Sequence, residues 1–331
     1  MLSILVVRFS SIGDILLTTP LIRALKRRHP EARLVFATKR AFAPLIADNP
    51  HVAQVVALEP EEPVRHFAAR LRAFAPTHTL DLHGSLRSLA LRALVGGRWR
   101  GYRKRKLSRA VLISTKIDIY KTHTPVAERY FEAAQDLDVR PDGGPPEFFL
   151  GAGARARAAE WLAARGLGRA RVAALAPGAA HFTKRWPLAH WAALAERLRA
   201  AGYAPVIVGG AADRGVAQRL ADQAPSVAGE FSLQETGALL AASAVVVSGD
   251  TGVMHMATAV RVPLVALFGP TVSQFGFFPY HPAAPHAVLE VAIDCRPCSA
   301  QGGDRCPMGH HRCLVDIQPI HALDAVLRVS A

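Results

Sequence analysis

Long apolar runs are missing from this sequence. The longest, "ALLAASAVVV" at 238–247, falls well short of the roughly 18 residues a membrane-spanning helix requires. The opening residues "MLSILVVR" have no basic region before their short apolar run and no small-residue cleavage site after it, so no secretory signal is expected. The cytoplasm is therefore the expected compartment. Low-complexity tracts are absent too, and cysteine is scarce: four residues in 331, all within one cluster. Several catalytic signatures do not occur. No G-x-G-x-x-G follows an expected strand, and G-x-x-x-x-G-K-[ST] occurs nowhere, which argues against dinucleotide oxidoreductases and P-loop NTPases. H-E-x-x-H and G-x-S-x-G are also missing.

Half of the residues are hydrophobic and a fifth are charged, with 25 Gly and 23 Pro, the profile of a folded α/β protein. At about 150 residues per domain the length suggests two domains. The formal charge of +14 is unevenly shared, with 24 Lys/Arg against 14 Asp/Glu in residues 1–150 and 16 against 12 in the remainder. Its densest stretch, "RWRGYRKRKLSR" at 98–109, places seven cations in twelve residues. Nucleic acid, anionic lipid and phosphorylated glycans all suit such a patch, as does a solvated basic face.

Short β-branched runs alternate with segments of helical period, which points to βαβ units and parallel sheets. Strands are expected at 4–9, 33–38, 52–58 and 79–83, with helices at about 14–28, 62–74 and 85–95. The Pro- and Gly-rich "DVRPDGGPPEFFL", 138–150, reads as a linker. The alternation then restarts, with strands at 171–176, 204–208, 244–248 and 263–268 and helices at about 187–201, 212–224, 233–242, 251–260 and 321–329. Two doubly wound domains, 1–150 and 151–331, facing each other across a cleft, form the economical architecture. Ligands then belong at the carboxyl ends of the strands.

Three strand-to-helix junctions of the second half carry phosphate-type chemistry. In "VVVSGDTGVMHMATA", 245–259, Asp250 takes an N-cap position and Thr251 and Gly252 open a helix whose free amides favour an anion. His255 shares the Thr251 face, and Asp250 either caps the helix or bonds a ribose hydroxyl. In "ALAPGAAHFTKRWPLAHW", 174–191, Gly178 and Ala179 let a ligand approach the backbone and Lys184 offers a point charge. "VIVGGAAD", 206–213, brings two glycines and Asp213 to the same edge. In the first half, Asp14 ends the first strand, as an N-cap or as a functional carboxylate, and "TLDLHGSLRS" supplies Asp81, His83 and Arg87. Cys295, Cys298, Cys306 and Cys313 are spaced C-x2-C-x7-C-x6-C beside His310 and His311. A structural zinc or iron site competes there with free thiols or disulfides.

The motifs "SSIGDILLTTP" at 10–20, "DLHGSLRS" at 81–88, "HTPVAERY" at 123–130, "PGAAHFTKRWP" at 177–187 and "SGDTGVMHMATAVRVPLVALFGPT" at 248–271 resemble the ADP-heptose lipopolysaccharide heptosyltransferases of glycosyltransferase family 9. The resemblance spans nearly the whole chain. It implies a GT-B fold of two Rossmann-like domains, acceptor on the first and ADP-heptose on the second, with inverting transfer by direct displacement and no catalytic metal. Asp14 is then the expected general base. Lys184 is expected on the donor phosphates, with Asp250, Thr251, Gly252 and His255 on phosphates and sugar, and Phe231 of the Phe-Ser-Leu at 231–233 along the adenine. Ser11, Gly13, Asp81, His83 and Arg87, with Arg103, Lys104 and Arg105 of the basic stretch, are the acceptor candidates. Where some members carry hydroxyl residues this chain has Ala179 and Ala180, so backbone amides must serve. Met254 and the cysteine tail resemble the second heptosyltransferase more than the first. The implied acceptor is the phosphorylated inner core of lipopolysaccharide, met at the inner face of the inner membrane, with no nucleic-acid partner. A relative using another acceptor or nucleotide sugar would share these motifs.

Overall fold

The computed structural model describes residues 2–331. By packing, the chain divides into two compact units: the residues up to Lys104 with Thr124–Phe149, and Arg105–His123 with Leu150–Ala331.

In the first unit, strands β1 (Ser3–Val7), β2 (Arg33–Lys39), β3 (Gln54–Leu58), β4 (His78–Asp81) and β5 (Arg98–Gly101) form one parallel sheet of order β3-β2-β1-β4-β5. All five residues of β1 are buried, as the apolar run ILVV after Ser3 demands of a central parallel strand covered on both faces. Val7, Val35, Val56, Phe67, Leu71, Leu91 and Val95 share one core on a face of this sheet. The expected helix at 14–28 is broken into Ile12–Leu16 and Thr19–Arg28. The Thr18 and Thr19 hydroxyls donate back to the Ile15 and Leu16 carbonyls at 2.6 and 2.7 Å, and Pro20 has no N–H to continue the ladder. Strand β5 lies inside the basic stretch, where charged residues on an edge hide the period-2 signal.

The linker at 138–150 has no regular structure but is tied down. Arg23 donates to both Asp142 oxygens at 2.7 Å and reaches Glu147 at 3.2 Å, and the Glu147 amide donates to Thr19 Oγ1 at 2.8 Å. The Arg23 pairing holds the Asp142 carboxyl at about 2.

In the second unit, β6 (Arg171–Ala176), β7 (Tyr203–Ile207), β8 (Val245–Gly249), β9 (Leu264–Phe268) and β10 (His286–Glu290) form a parallel sheet of order β10-β9-β8-β6-β7. Counted in chain order, this is the 2-1-3-4-5 winding, whereas the first sheet is wound 3-2-1-4-5. The fold is the GT-B pair of α/β domains. Ser232 caps the Leu233–Ala241 helix with Glu235 in a reciprocal box, and Pro319 opens Pro319–Val329. That last helix packs Ala322, Ala325 and Val326 into the core with Leu194, Leu198, Val247 and Leu267. The expected helix at 212–224 shrinks to Arg214–Gln218, since Pro225 biases the chain before it away from helix. Strand β10, half-exposed at the sheet edge, has no strong alternation and escapes sequence reading.

Candidate active site

Each sheet reverses its winding beside its first strand. The reversal falls between β1 and β4 in the first unit and between β6 and β8 in the second, and a ligand crevice forms at such switch points. The candidate residues gather at these two places.

At the β1/β4 edge, Ser11 is the N-cap of Ile12–Leu16 and Asp14 its third residue. Asp14 Oδ2 accepts from the Ser11 amide at 3.2 Å and the Ser11 hydroxyl at 2.7 Å. Asp14 Oδ1 accepts from Arg8 Nη2 at 2.6 Å and from the Tyr130 hydroxyl at 3.3 Å. Asp14 is thus not the N-cap; it completes a capping box while also holding an ion pair. Burial alone would push its carboxyl up, but the Arg8 charge and the Ser11 donors outweigh burial and keep it below its ordinary value of 3.8. Arg8 is itself anchored, Nε on the Ser10 carbonyl at 2.7 Å and Nη1 on the Leu82 carbonyl, so the guanidinium bridges the ends of β1 and β4. Burial, with the Asp14 charge beside it, holds the Tyr130 hydroxyl well above its ordinary range against the opposing pull of Arg8. Sequence reading missed Arg8 and Tyr130, because a strand-end arginine and a distant helical tyrosine carry no local signature.

Asp81 turns inward to its own loop, accepting from the amides of His83 at 3.0 Å and Gly84 at 2.8 Å. His83 packs edge-on against Phe9 with ring centroids 5.2 Å apart. Burial, Arg8 and Lys104 depress its imidazole to about 4, so it is neutral at pH 7. Lys104 donates to the His83 and Gly84 carbonyls. Gly13 is buried under the turn, and Arg87 is exposed on the following helix. The Arg103 amide donates to Glu132 at 2.8 Å. Arg105 belongs to the other unit, where it precedes the Lys106–Thr115 helix in a left-handed conformation.

At the β6/β8 edge, Lys184 Nζ lies 2.7 Å from Asp250 Oδ2, and the Thr271 hydroxyl donates to that same oxygen at 2.7 Å. Thr251, not Asp250, is the N-cap of Gly252–Val260. The expected capping role of Asp250 is therefore corrected, because its carboxylate turns to the lysine and Thr271 instead. The Thr251 and Ser248 hydroxyls are 3.1 Å apart, and His255 is buried one turn along the same helix. Gly178 is required for a close approach, since a Cβ there would overlap the Asp213 carboxylate, which accepts from the Gly210 amide at 2.8 Å. The Ala179 carbonyl accepts from Arg185 Nε at 2.9 Å. Phe231 is buried edge-on against Trp161, with ring centroids 5.9 Å apart.

The cysteine segment is where a structural metal, free thiols or disulfides are the competing expectations. All four cysteines are free, and among the described residues no group of three or more His, Cys, Asp or Glu is arranged to hold a metal ion. Burial and the neighbouring Cys298 push the Cys313 thiol up to about 11, and burial raises Cys298 also. The long spacers are used to brace the turn before Lys184. The Thr183 amide donates to the Gly303 carbonyl at 3.1 Å, the Gly303 amide donates to Thr183 Oγ1 at 2.8 Å, and His311 Nε2 bonds the Thr183 carbonyl at 3.0 Å.

A lysine thus stands beside a helix N-terminus at one switch point and a fixed carboxylate at the other, on two parallel α/β sheets. The family model for glycosyltransferase family 9 (heptosyltransferase) matches residues 64–306, and the chain belongs to that family. Lipooligosaccharide heptosyltransferase 2 of Haemophilus influenzae is 28% identical, with both chains covered in full. The solved ADP-heptose lps heptosyltransferase II of E. coli superposes with a TM-score of 0.78 at 25% identity, over 99% of this chain and 98% of that one. A family 9 glycosyltransferase from Veillonella parvula gives 0.83 at 19% identity over 99% and 97%, a likeness of fold.

Proposed function

We infer that the protein transfers heptose from ADP-heptose to the inner core of lipopolysaccharide. The first unit takes the acceptor and the second the donor, and the protein works in the cytoplasm at the inner face of the membrane. Carrying this reading is the contrast between the two switch points: an ionised carboxylate in one sheet, a lysine with free helix amides in the other. The full-length relatives are named as heptosyltransferases that act on lipopolysaccharide or lipooligosaccharide.

In the proposed displacement, Asp14 takes the proton of the acceptor hydroxyl while that oxygen bonds the anomeric carbon from the face opposite the diphosphate. The bond from that carbon to the diphosphate oxygen breaks, its electron pair leaves with ADP, and the anomeric centre inverts. Departing charge falls on Lys184 and the amides of Thr251 and Gly252, which supply the stabilisation without a divalent metal. Asp250 and Thr271 hold the lysine in place for this role. The four lone-pair directions of Asp14 are all in use. An acceptor hydroxyl enters by replacing the Tyr130 donor, the longest of the four, so the carboxylate keeps its bond count. Arg8 fixes the orientation of the base and keeps it ionised, at the cost of a weaker proton affinity.

The test is a transfer assay with ADP-heptose and truncated lipopolysaccharide acceptors, run for the parent and Asp14→Asn. The substitution keeps the capping geometry and is expected to lower kcat by about 10²- to 10⁴-fold, the usual contribution of a general base. Equal rates in the two proteins would remove Asp14 from that role.

A further inference from the structure

The Leu86–Val95 helix is turned the wrong way for an ordinary surface helix. Its inward face is Ser88, Leu91 and Val95, buried against the Val64–Arg72 helix and its Phe67 and Leu71. The opposite face should be polar. Instead it is Leu86, Leu89, Ala90 and Ala93, spaced i, i+3, i+4 and i+7 on one face, with Leu86 86% and Leu89 55% exposed. Leu94, 40% exposed, widens the stripe. Arg87 and Arg92 flank it, both exposed.

The charge along these segments has one sign, although Glu62 pairs with Arg70 at 2.8 Å and Asp136 with Arg100 at 2.9 Å. Residues 82–104 hold six Lys/Arg and no Asp/Glu, and the supporting helix Val64–Arg72 carries three arginines and no acid. An apolar stripe bordered by cations is the pattern of a helix that lies in a lipid interface, leucines among the acyl chains and arginines at the head groups. A second copy of the chain would set arginines against arginines, and the helix itself carries no acid to receive a basic partner.

We propose that the exposed face of the Leu86–Val95 helix docks on an anionic lipid bilayer, with Leu86 and Leu89 inserted and Arg87 and Arg92 on the head-group phosphates. The helix follows directly on the β4 edge that carries Asp81 and His83, so docking holds that edge at the membrane surface. The proposal deepens, and rests on, the reading of the acceptor as a membrane glycolipid.

The full-length protein is mixed with vesicles of phosphatidylethanolamine and phosphatidylglycerol, or of phosphatidylcholine alone, and the bound fraction is measured by flotation. The parent is expected to float with the anionic vesicles only. Leu86→Ser/Leu89→Ser, and separately Arg92→Glu, are expected to weaken that binding about tenfold. Both variants should transfer heptose to a lipid-free core oligosaccharide as fast as the parent, which also shows that they fold. Variants that bind anionic vesicles as well as the parent overturn the proposal. A parent that sediments as a dimer, dispersed by Leu86→Ser/Leu89→Ser, overturns it in favour of a second copy. Vesicle binding lost in the variants from a parent that transfers no heptose supports the docking and overturns the proposed reaction instead.

Discussion

Asp14 shows how far one carboxylate's behaviour depends on groups remote in sequence. Ser11 is three residues away, but Tyr130 is 116 residues along the chain. Arg8 reverses the sign of the shift that burial alone would give. With the folded carboxyl below 3.8, the ion pair stabilises the protein fully above the unfolded value and loses that contribution as pH falls through the lower folded one. The same sign governs activity: in the parent, kcat/KM should show no acid limb from Asp14 at or above the ordinary carboxylate range. Arg8→Gln removes the cation and leaves burial opposed only by the Ser11 donors, so the carboxyl rises and an acid limb moves toward neutral pH. A pH profile of kcat/KM for both proteins checks this. Superimposable acid limbs would mean that Arg8 does not set the state of the base.

At the scale of elements, the cysteine segment and the Lys184 turn form one mechanical unit. Thr183 is buried, and its hydroxyl accepts the Gly303 amide and lies 3.2 Å from the Gly303 carbonyl. A neutral hydrogen bond is worth about 0.5–1.5 kcal/mol net. Thr183→Ala should therefore raise the KM for ADP-heptose by up to about tenfold, leaving the acceptor KM and the pH profile alone. Steady-state kinetics with each substrate varied in turn would show it; an unchanged donor KM would leave the segment a purely structural tail. The spacing of the four cysteines was visible in the sequence, but their use was not. A C-x2-C pair fixes which residues are near one another, and only the folded backbone decides whether the spacers converge on a metal or on a neighbouring turn. Helix boundaries divide similarly. The N-cap at Ser232 announces itself through Glu235 three residues later, whereas the break after Leu16 depends on two threonine hydroxyls choosing backbone carbonyls over solvent.

Over the whole molecule, the charge asymmetry would assign different physics to the two proposed substrates. Residues 1–150 carry +10 of the net +14, and much of the density is exposed arginine between 87 and 103. Exposed charges act over about 8–10 Å at physiological salt and are screened beyond that. The KM for a phosphorylated acceptor is expected to rise steeply with ionic strength, while that for ADP-heptose, if the half-buried Lys184 and helix amides hold it as proposed, rises little. Parallel salt titrations of the two KM values test this, and equal slopes would detach the basic half from the acceptor.

The sequence by itself determined the alternation of strands and helices and the division into two α/β halves. It also marked the two junctions, at Asp14 and at 248–255, where the candidate residues lie. These features are local, written in apolar runs, glycine turns and capping residues within a few positions of one another. Tertiary structure alone decided the winding of the second sheet and the outward turn of the Leu86–Val95 stripe. It also decided that Asp250 holds Lys184 rather than capping its helix, and that Arg8 and Tyr130 close around Asp14. Each of these depends on which distant segment comes to lie beside a group, and a charge or a hydroxyl has no partner until the sheets bring one to it.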